Sequence, residues 1–383
     1  MKILIAGFPY VRENYLKTFF LDNEHPADDG MLFLLPARWP IKQGAFIYTP
    51  PQWKGVHITS TFFHHSHYPV IGGLLKGWMP FFPLFLFRHR RKVDLVYWCG
   101  EPTLLSTLYV ALWSRLMRKR LVLFSWENVP YEQKLKGVHL AIKQLLLRVH
   151  GLLAHGIVCG NEKSERIHAP FFKHTAIIPM SGVDDAFFAP SRDEGHADVC
   201  TFTFIGAIGV RKGLLYLLDA LSEVLRRHTN VRFILAGSGE EESVIQNAIV
   251  ERGLEAYVER IPWTSRESVR DILNRSDVFV YPSIPYGGWE EQFGYSMAEA
   301  SLMELPVIAT HSGSMSEVVR DGETGLLVPP QDSDALMDAM VRMAQDAAQR
   351  KRFGVAGRAF IKAHYAYTEV RRRFFQFFVS LLP

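Results

Sequence analysis

Cysteine is scarce, the net charge is small and no apolar run is long. Cys99, Cys159 and Cys200 are the three cysteines, far apart and without ligand spacing. They exclude a disulfide framework and a thiolate metal site, and point to a reducing compartment. A net charge of +4 spread over 383 residues does not mark a nucleic-acid binder, and no nucleic acid is expected as partner. The longest apolar run, Trp78 to Phe87, is about half a membrane span and holds Pro80 and Pro83, so no transmembrane helix is expected. The opening M-K-I-L-I-A-G-F-P-Y reads as a first β-strand, not a signal peptide. Its apolar part is short, and Pro9, Arg12 and Glu13 follow without a small-residue cleavage site. Internal repeats and low-complexity tracts are lacking. One Asp-x-Asp, Asp332-Ser333-Asp334, opens a helix, where acids serve as caps. No metal and no cofactor are therefore expected.

What is present is alternation. In the first half, apolar strands are expected at 2–6, 31–35, 45–48, 56–61, 93–99, 121–125, 156–159 and 175–179. Helices are expected at 102–117 and 131–150, with a Pro-broken amphipathic stretch at 70–87. The stretch 190–199 is polar, without apolar period, and reads as a linker. A fresh alternation follows, with strands at 202–205, 232–236, 258–261, 277–281, 307–310 and 325–328. Helices at 333–345 and 349–365 and a basic, aromatic helix at 366–382 close the chain. Alternation of this kind predicts parallel, doubly wound sheets. The fold class is α/β, with a Rossmann-like domain at 1–190, a second at 191–365 and a terminal segment at 366–383. In open sheets of this type ligands bind outside the carboxyl ends of the strands.

Residues 277–313 read as strand, loop, helix, strand. The helix is expected to start near Phe293 or Gly294. Glu291 is placed just before it and Glu299 about two turns inside. An anion-favouring helix N-terminus then lies between two acceptors suited to sugar hydroxyls. A ligand with a central diphosphate and hydroxyls at both ends, a nucleotide sugar, fits that arrangement.

The second domain opens F-T-F-I-G-A-I-G-V-R-K-G. Gly206 and Gly209 permit a tight turn after the strand, and Arg211 and Lys212 are expected at a helix start. Cations there run against the helix dipole. A solvated basic pair and a diphosphate clamp are both open readings, Arg supplying a planar fork and Lys a point charge. Farther on, Ala-Gly-Ser-Gly (236–239) would let backbone approach a ligand at Gly237 and Gly239.

Taken in order, Gly-x5-Lys-Gly, Ala-Gly-x-Gly, Glu-x7-Glu, Pro-Val-Ile-Ala and G-x-x-x-E-V-V-x-D-G-x-x-G-L-L-V-P-P-x-D (313–332) resemble the donor half of a retaining, nucleotide-sugar-dependent glycosyltransferase of the GT-B fold, in the large bacterial group 1 class. I-I-P-M-S-G-V-D-D-A-F-F-A-P (177–190) resembles that family's hinge entry. The resemblance covers roughly residues 155–365. It implies two Rossmann-like domains facing across a cleft, with a C-terminal helix returning to the first. It implies that Glu291 contacts the donor sugar near the reacting centre, with Lys212 and Arg211 on the phosphates. It further implies that Glu299 accepts from the ribose, and that Gln292, Phe293, Gly294 and Tyr295 hold the diphosphate through backbone amides, beside Gly206 and Gly237. The expected activity is transfer to a glycan or lipid-linked acceptor, with retention and without metal, in surface-polysaccharide or lipopolysaccharide-type synthesis. The sequence departs from the family pattern at four places, one being Glu304, where Gly is usual before Pro-Val-Ile-Ala. Ala207 stands where Arg is usual, and Phe8-Pro9-Tyr10 stand where a Gly-Gly loop is usual. Trp126-Glu127-Asn128 stand where His-Asp is usual.

On the acceptor side the candidates are Glu127, His64 and His67, the latter two in a cluster with His65. A metal site is the other reading of that cluster. Residues 76–120 carry nine Lys or Arg against Asp94 and Glu101. With W-M-P-F-F-P-L-F-L-F directly before the cluster Arg88 to Lys92, this is either a core helix with a solvated basic end or an interfacial segment on anionic lipid. The terminal R-R-R-F-F-Q-F-F poses the same choice. The expected location is cytoplasmic, either free or on the inner face of the membrane. Rival functions are a non-catalytic nucleotide-sugar-binding protein and a nucleotide-sugar epimerase.

Overall fold

A computed structural model describes residues 1–22, 25–40, 47–64, 73–191, 199–227, 230–262 and 265–382. The chain divides into two units: Met1–Gly182 with Tyr367–Pro383, and Val183–Ala366. The first break lies somewhat before the expected 190/191. Most of the expected linker, 192–198, lies outside the described residues.

In the first unit the strands are β1 (Ile3–Ala6), β2 (Met31–Pro36), β3 (Trp39–Pro40), β4 (Ile47–Tyr48), β5 (Val56–Thr59), β6 (Leu95–Trp98), β7 (Arg120–Ser125), β8 (Gly156–Cys159) and β9 (Thr175–Ile177). Seven form one sheet in the order β5-β2-β1-β6-β7-β8-β9, and its six pairings are all parallel. β3 and β4 form a separate antiparallel pair. Every residue of β1, β6 and β8 is buried, as expected for strands covered on both faces. The period-2 alternation sorts them. Ile3 and Ile5 face one core with Tyr97, Phe124, Val370, Phe374 and Phe378. Leu4 and Ala6 face the other, with Trp98, Phe82, Leu86, Val110 and Leu147. The helices Phe82–Arg88, Leu105–Leu116 and Gly137–Leu153 therefore share one face of the sheet. The expected helix 131–150 is instead two, Tyr131–Lys134 and Gly137–Leu153, interrupted where Gly137 takes φ +58°.

The terminal helix, Tyr367–Ser380, belongs to the first unit and puts Phe374 and Phe378 into its core. Of the two readings of R-R-R-F-F-Q-F-F this favours the core over the interfacial one: its first and last aromatics, Phe374 and Phe378, are packed against protein.

The second unit holds β10 (Cys200–Ile205), β11 (Val231–Ala236), β12 (Val258–Ile261), β13 (Val278–Tyr281), β14 (Val307–Thr310) and β15 (Gly325–Val328). They run β12-β11-β10-β13-β14-β15, all pairings parallel. Sequence order reverses between β10 and β13. The crevice outside the carboxyl ends at such a reversal is where open α/β sheets bind ligands. Each unit is thus a Rossmann-like α/β domain.

Candidate donor site

Beyond β10, Gly206 to Gly209 lead into a 3-10 turn, Val210–Lys212, and only then into the Leu214–Arg227 helix. Arg211 and Lys212 therefore precede the helix instead of opening it. Gly213 between them and the helix is left-handed (φ +64°), and a Cβ there would lie 2.1 Å from the Pro282 carbonyl. Only glycine lets this turn lie against the loop after β13, and Ile284 N–H donates to the Arg211 carbonyl at 2.9 Å.

The outcome is a meeting of two loops at the reversal point. Lys212 Nζ lies 2.6 Å from Glu291 Oε2, and Tyr281 at the end of β13 donates its hydroxyl to the same oxygen at 2.8 Å. Lys212 also donates to the Tyr281 hydroxyl. Lys212 is 5% and Glu291 8% exposed, so this is a buried charged cluster. Burial alone would raise the Glu291 carboxyl. The Lys212 ammonium and its hydrogen bond outweigh that and hold it below the usual carboxylate range. Burial lowers Lys212, with Glu291 opposing. Burial and the Glu291 charge push Tyr281 well up, so it remains a donor. Arg211 stays nearer the surface, its guanidinium 4.1 Å from the centroid of the Trp289 ring.

The helix that follows is Tyr295–Leu302, with left-handed Gly294 (φ +78°) at its N-cap and no side-chain cap bond or acid in its first turn. Its amino end thus has no carboxylate of its own against its dipole. Glu299 lies four residues after Tyr295, one turn into the helix instead of two. Burial pushes its carboxyl up to about 7, against a smaller opposing effect of Arg266. Phe293 is buried against Tyr295 and Tyr365, with ring centroids 4.8 and 5.0 Å away. Only the backbone of this residue is available to a ligand; Gln292 and Tyr295 are half-buried.

Gly237 and Gly239 also have a packing role within the unit. Gly237 takes φ +135°, and a Cβ on it would lie 1.9 Å from the Gly206 carbonyl; a Cβ on Gly239 would lie 2.0 Å from the Ile208 carbonyl. These glycines let the loops after β10 and β11 pack on each other. Gly209 is extended, at φ −163°.

Acceptor-side candidates are all in the first unit. Glu127 pairs with Lys134 at 2.5 Å and accepts from Val129 N–H at 3.1 Å. His64 Nε2 lies 3.1 Å from the Thr61 hydroxyl; its ring meets Trp39 edge-on. His65 and His67 lie outside the described residues. Glu101 carries more signal than any of these and was not singled out from sequence. It follows β6, where strand order reverses between β1 and β6. It accepts from the Ser125 hydroxyl at 2.5 Å and from Trp126 N–H at 3.0 Å, and burial pushes it up to about 7. The clue was an acid just beyond a buried apolar strand. Asp332, expected as a helix cap, accepts from Ala335 N–H at 2.9 Å at the start of the Ser333–Gln345 helix.

Residues 200–346 match the sequence model of the family Glycosyl transferases group 1. A phosphatidyl-myo-inositol mannosyltransferase of Mycobacterium leprae is 35% identical over 147 residues, 38% of this chain and 37% of that protein. An alpha-D-kanosaminyltransferase of Streptomyces kanamyceticus is 28% identical over 149 residues, 39% of this chain and 37% of that protein. The chain thus spans little more than a third of each of these two relatives. Among solved structures, Anabaena HepE in complex with UDP superposes with a TM-score of 0.75 at 19% identity, covering 99% of this chain and 100% of that one. Sucrose-phosphate synthase from Thermosynechococcus elongatus gives 0.69 at 20% identity, covering 100% and 99%. The chain has the GT-B fold, and residues 200–346 of its second unit match the glycosyl transferases group 1 family.

Proposed function

We propose that this protein transfers a glycosyl group from a nucleoside diphosphate sugar to a hydroxyl of a glycan or lipid-linked acceptor, with retention of anomeric configuration and without a metal. The observation that carries the reading is the Lys212–Glu291–Tyr281 cluster at the reversal point of the second sheet, beside a helix amino end that has no side-chain cap. In the reaction the bond from the anomeric carbon to the diphosphate oxygen breaks. The acceptor oxygen bonds to that carbon, and its proton passes to the leaving diphosphate. Charge accumulates on the diphosphate, so fixed positive groups are what the step needs. Lys212, Arg211 and the amides at Gly294 and Tyr295 would supply them. Glu291 would orient the donor sugar, and Glu299 would accept from the ribose.

The relatives that carry this domain include enzymes named for mannosyl and kanosaminyl transfer, and HepE was crystallised with UDP. Both support a nucleotide-sugar donor. A lipid-linked acceptor in surface-glycan synthesis agrees with an amphipathic segment in the first unit. Around the Phe82–Arg88 helix, Phe81, Leu84 and Phe87 are 55%, 45% and 53% exposed. Arg88, Arg90, Arg91 and Lys92 follow. This pattern supports peripheral contact with anionic lipid on the cytoplasmic side. Among the described residues no helix is long and apolar enough to cross a membrane.

The test is a thermal-shift panel of UDP, GDP, ADP and dTDP sugars, followed by donor turnover. One donor should stabilise the protein by mass action and release its nucleoside diphosphate slowly. Binding without turnover, with candidate acceptors present, would favour a non-catalytic binding protein. The anomeric signal of the product by NMR decides retention. Failure to sediment with anionic liposomes at low salt would remove the membrane contact.

A further inference from the structure

The opposite end of the first sheet holds a concentration of positive charge that the donor site does not use. β7, β8 and β9 are neighbours in the sheet, and basic residues stand at the amino end of each. Arg120 opens β7, His155 directly precedes β8, and Lys173 and His174 directly precede β9. Arg115, in the last turn of the Leu105–Leu116 helix, reaches the same place. These side chains line an open cavity of about 420 Å³, completed by backbone and side chains of 151–154 and 380–382. A second cavity of about 460 Å³ shares Arg115, Arg120 and His155 and adds Arg118 and Lys119. No residue lining either cavity is acidic. Among the described residues, none of these cations is ion-paired with a carboxylate.

Two details sharpen the chemistry. Leu121 N–H donates to His155 Nδ1 at 3.1 Å. In its neutral form this ring therefore carries its proton on Nε2 and is itself a donor. Its pKa is lowered, by burial first and then by Arg120, Arg115 and His174, so the cations already repel one another. Cations at a helix C-terminus relieve the dipole, which accounts for Arg115 and Arg118. It does not account for Arg120, Lys173 and His174, which stand at strand starts. A group of like charges around a cavity is relieved by an anion bound between them, and guanidinium forks favour phosphate oxygens.

We propose that this basic cavity is a binding site for a phosphoryl group, separate from the donor site and independent of the glycosyltransferase reading. The phosphate can come from a lipid headgroup or from a soluble phosphate compound. Exposed leucines adjoin the cations: Leu152, which lines the cavity, is 81% exposed, and Leu116, next to Arg115, is 70% exposed.

The test uses the full chain and an R115Q/K173Q variant, both substitutions being at exposed positions. Binding of inorganic pyrophosphate is measured by calorimetry. Binding to phosphatidylcholine vesicles with and without phosphatidic acid is measured by flotation. The proposal expects at least one of the two phosphates to bind the wild type, and about tenfold or greater weakening in the variant, the scale of losing two charge-assisted contacts. An unchanged urea midpoint shows that the variant is folded. Binding of pyrophosphate alone identifies a soluble ligand, and binding confined to phosphatidic acid vesicles identifies a headgroup. No binding of either, or binding equal in wild type and variant, overturns the proposal. Arg118→Gln and Lys119→Gln form a second variant that lines only the neighbouring cavity and should have the smaller effect.

Discussion

Lys212 and Glu291, separated by 79 positions in the chain, form a buried ion pair with 2.6 Å between Nζ and Oε2. Both charges sit where water is excluded, so each depends on the other. Removing one partner of such a pair strands a buried charge, at a cost of about 3–5 kcal/mol. Lys212→Ala and Glu291→Gln should each lower the urea midpoint. The K212A/E291Q double variant should lose less than the sum. A coupling energy near zero in that double-mutant cycle would show that the pair does not form. Both single variants should lose transfer. Glu291→Gln should retain more nucleoside diphosphate affinity than Lys212→Ala, because only the lysine stands on the diphosphate side of the proposed donor.

Glu299 supplies a pH test. Its carboxyl is pushed up to about 7 by burial, whereas a ribose hydroxyl donates best to the ionised form. Nucleoside diphosphate binding at about pH 6.5 should therefore release part of a proton. Calorimetry in buffers of different ionisation enthalpy measures that release. It should vanish in Glu299→Gln, and an unchanged release would assign the proton to another group.

Glu101 bears on stability. A carboxyl whose folded pKa is raised to about 7 binds its proton more tightly in the folded state than in the unfolded one. Its contribution is full below the unfolded value of about 4.3. It declines as pH rises toward 7 and stays lost above it. Glu101→Gln should therefore gain stability relative to wild type as the pH is raised from 5 to 8. A constant difference across that range, read from chemical denaturation, would contradict the assignment.

The loops of the second unit make a geometric prediction. Gly237→Ala forces a Cβ to within 1.9 Å of the Gly206 carbonyl at φ +135°. A loss of about 2–4 kcal/mol is expected, combining strain with displacement of the β10 loop. Gly209→Ala is the control, because a Cβ there meets nothing within 4 Å. Equal stability of the two variants would mean that the loops do not pack as described.

Much of the fold was legible because buried parallel strands read as short apolar runs and helices as 3.6-residue periods. The strands β8, β12, β14 and β15 fall where the alternation put them. The Glu-x7-Glu spacing and the glycine-bounded basic pair named the candidate residues of the proposed donor site. What the chain order left open was which of them touch. Lys212 and Glu291 read as separate contributors to a ligand. Their mutual ion pair depends on β10 and β13 being neighbours, and pairing between distant strands is set by tertiary packing. The same limit hid Glu101, whose burial exists only once β6 and β7 lie side by side, and the basic cavity, whose cations come from three strand starts and a helix end. It also left the terminal aromatics open between core and interface, because a helical period marks a buried face without saying what covers it. Local pattern determined the elements and the candidate residues of the proposed site. The partners of each charge were decided by which strands lie side by side, since an ion pair needs two groups within a few ångströms and sequence separation carries no such distance.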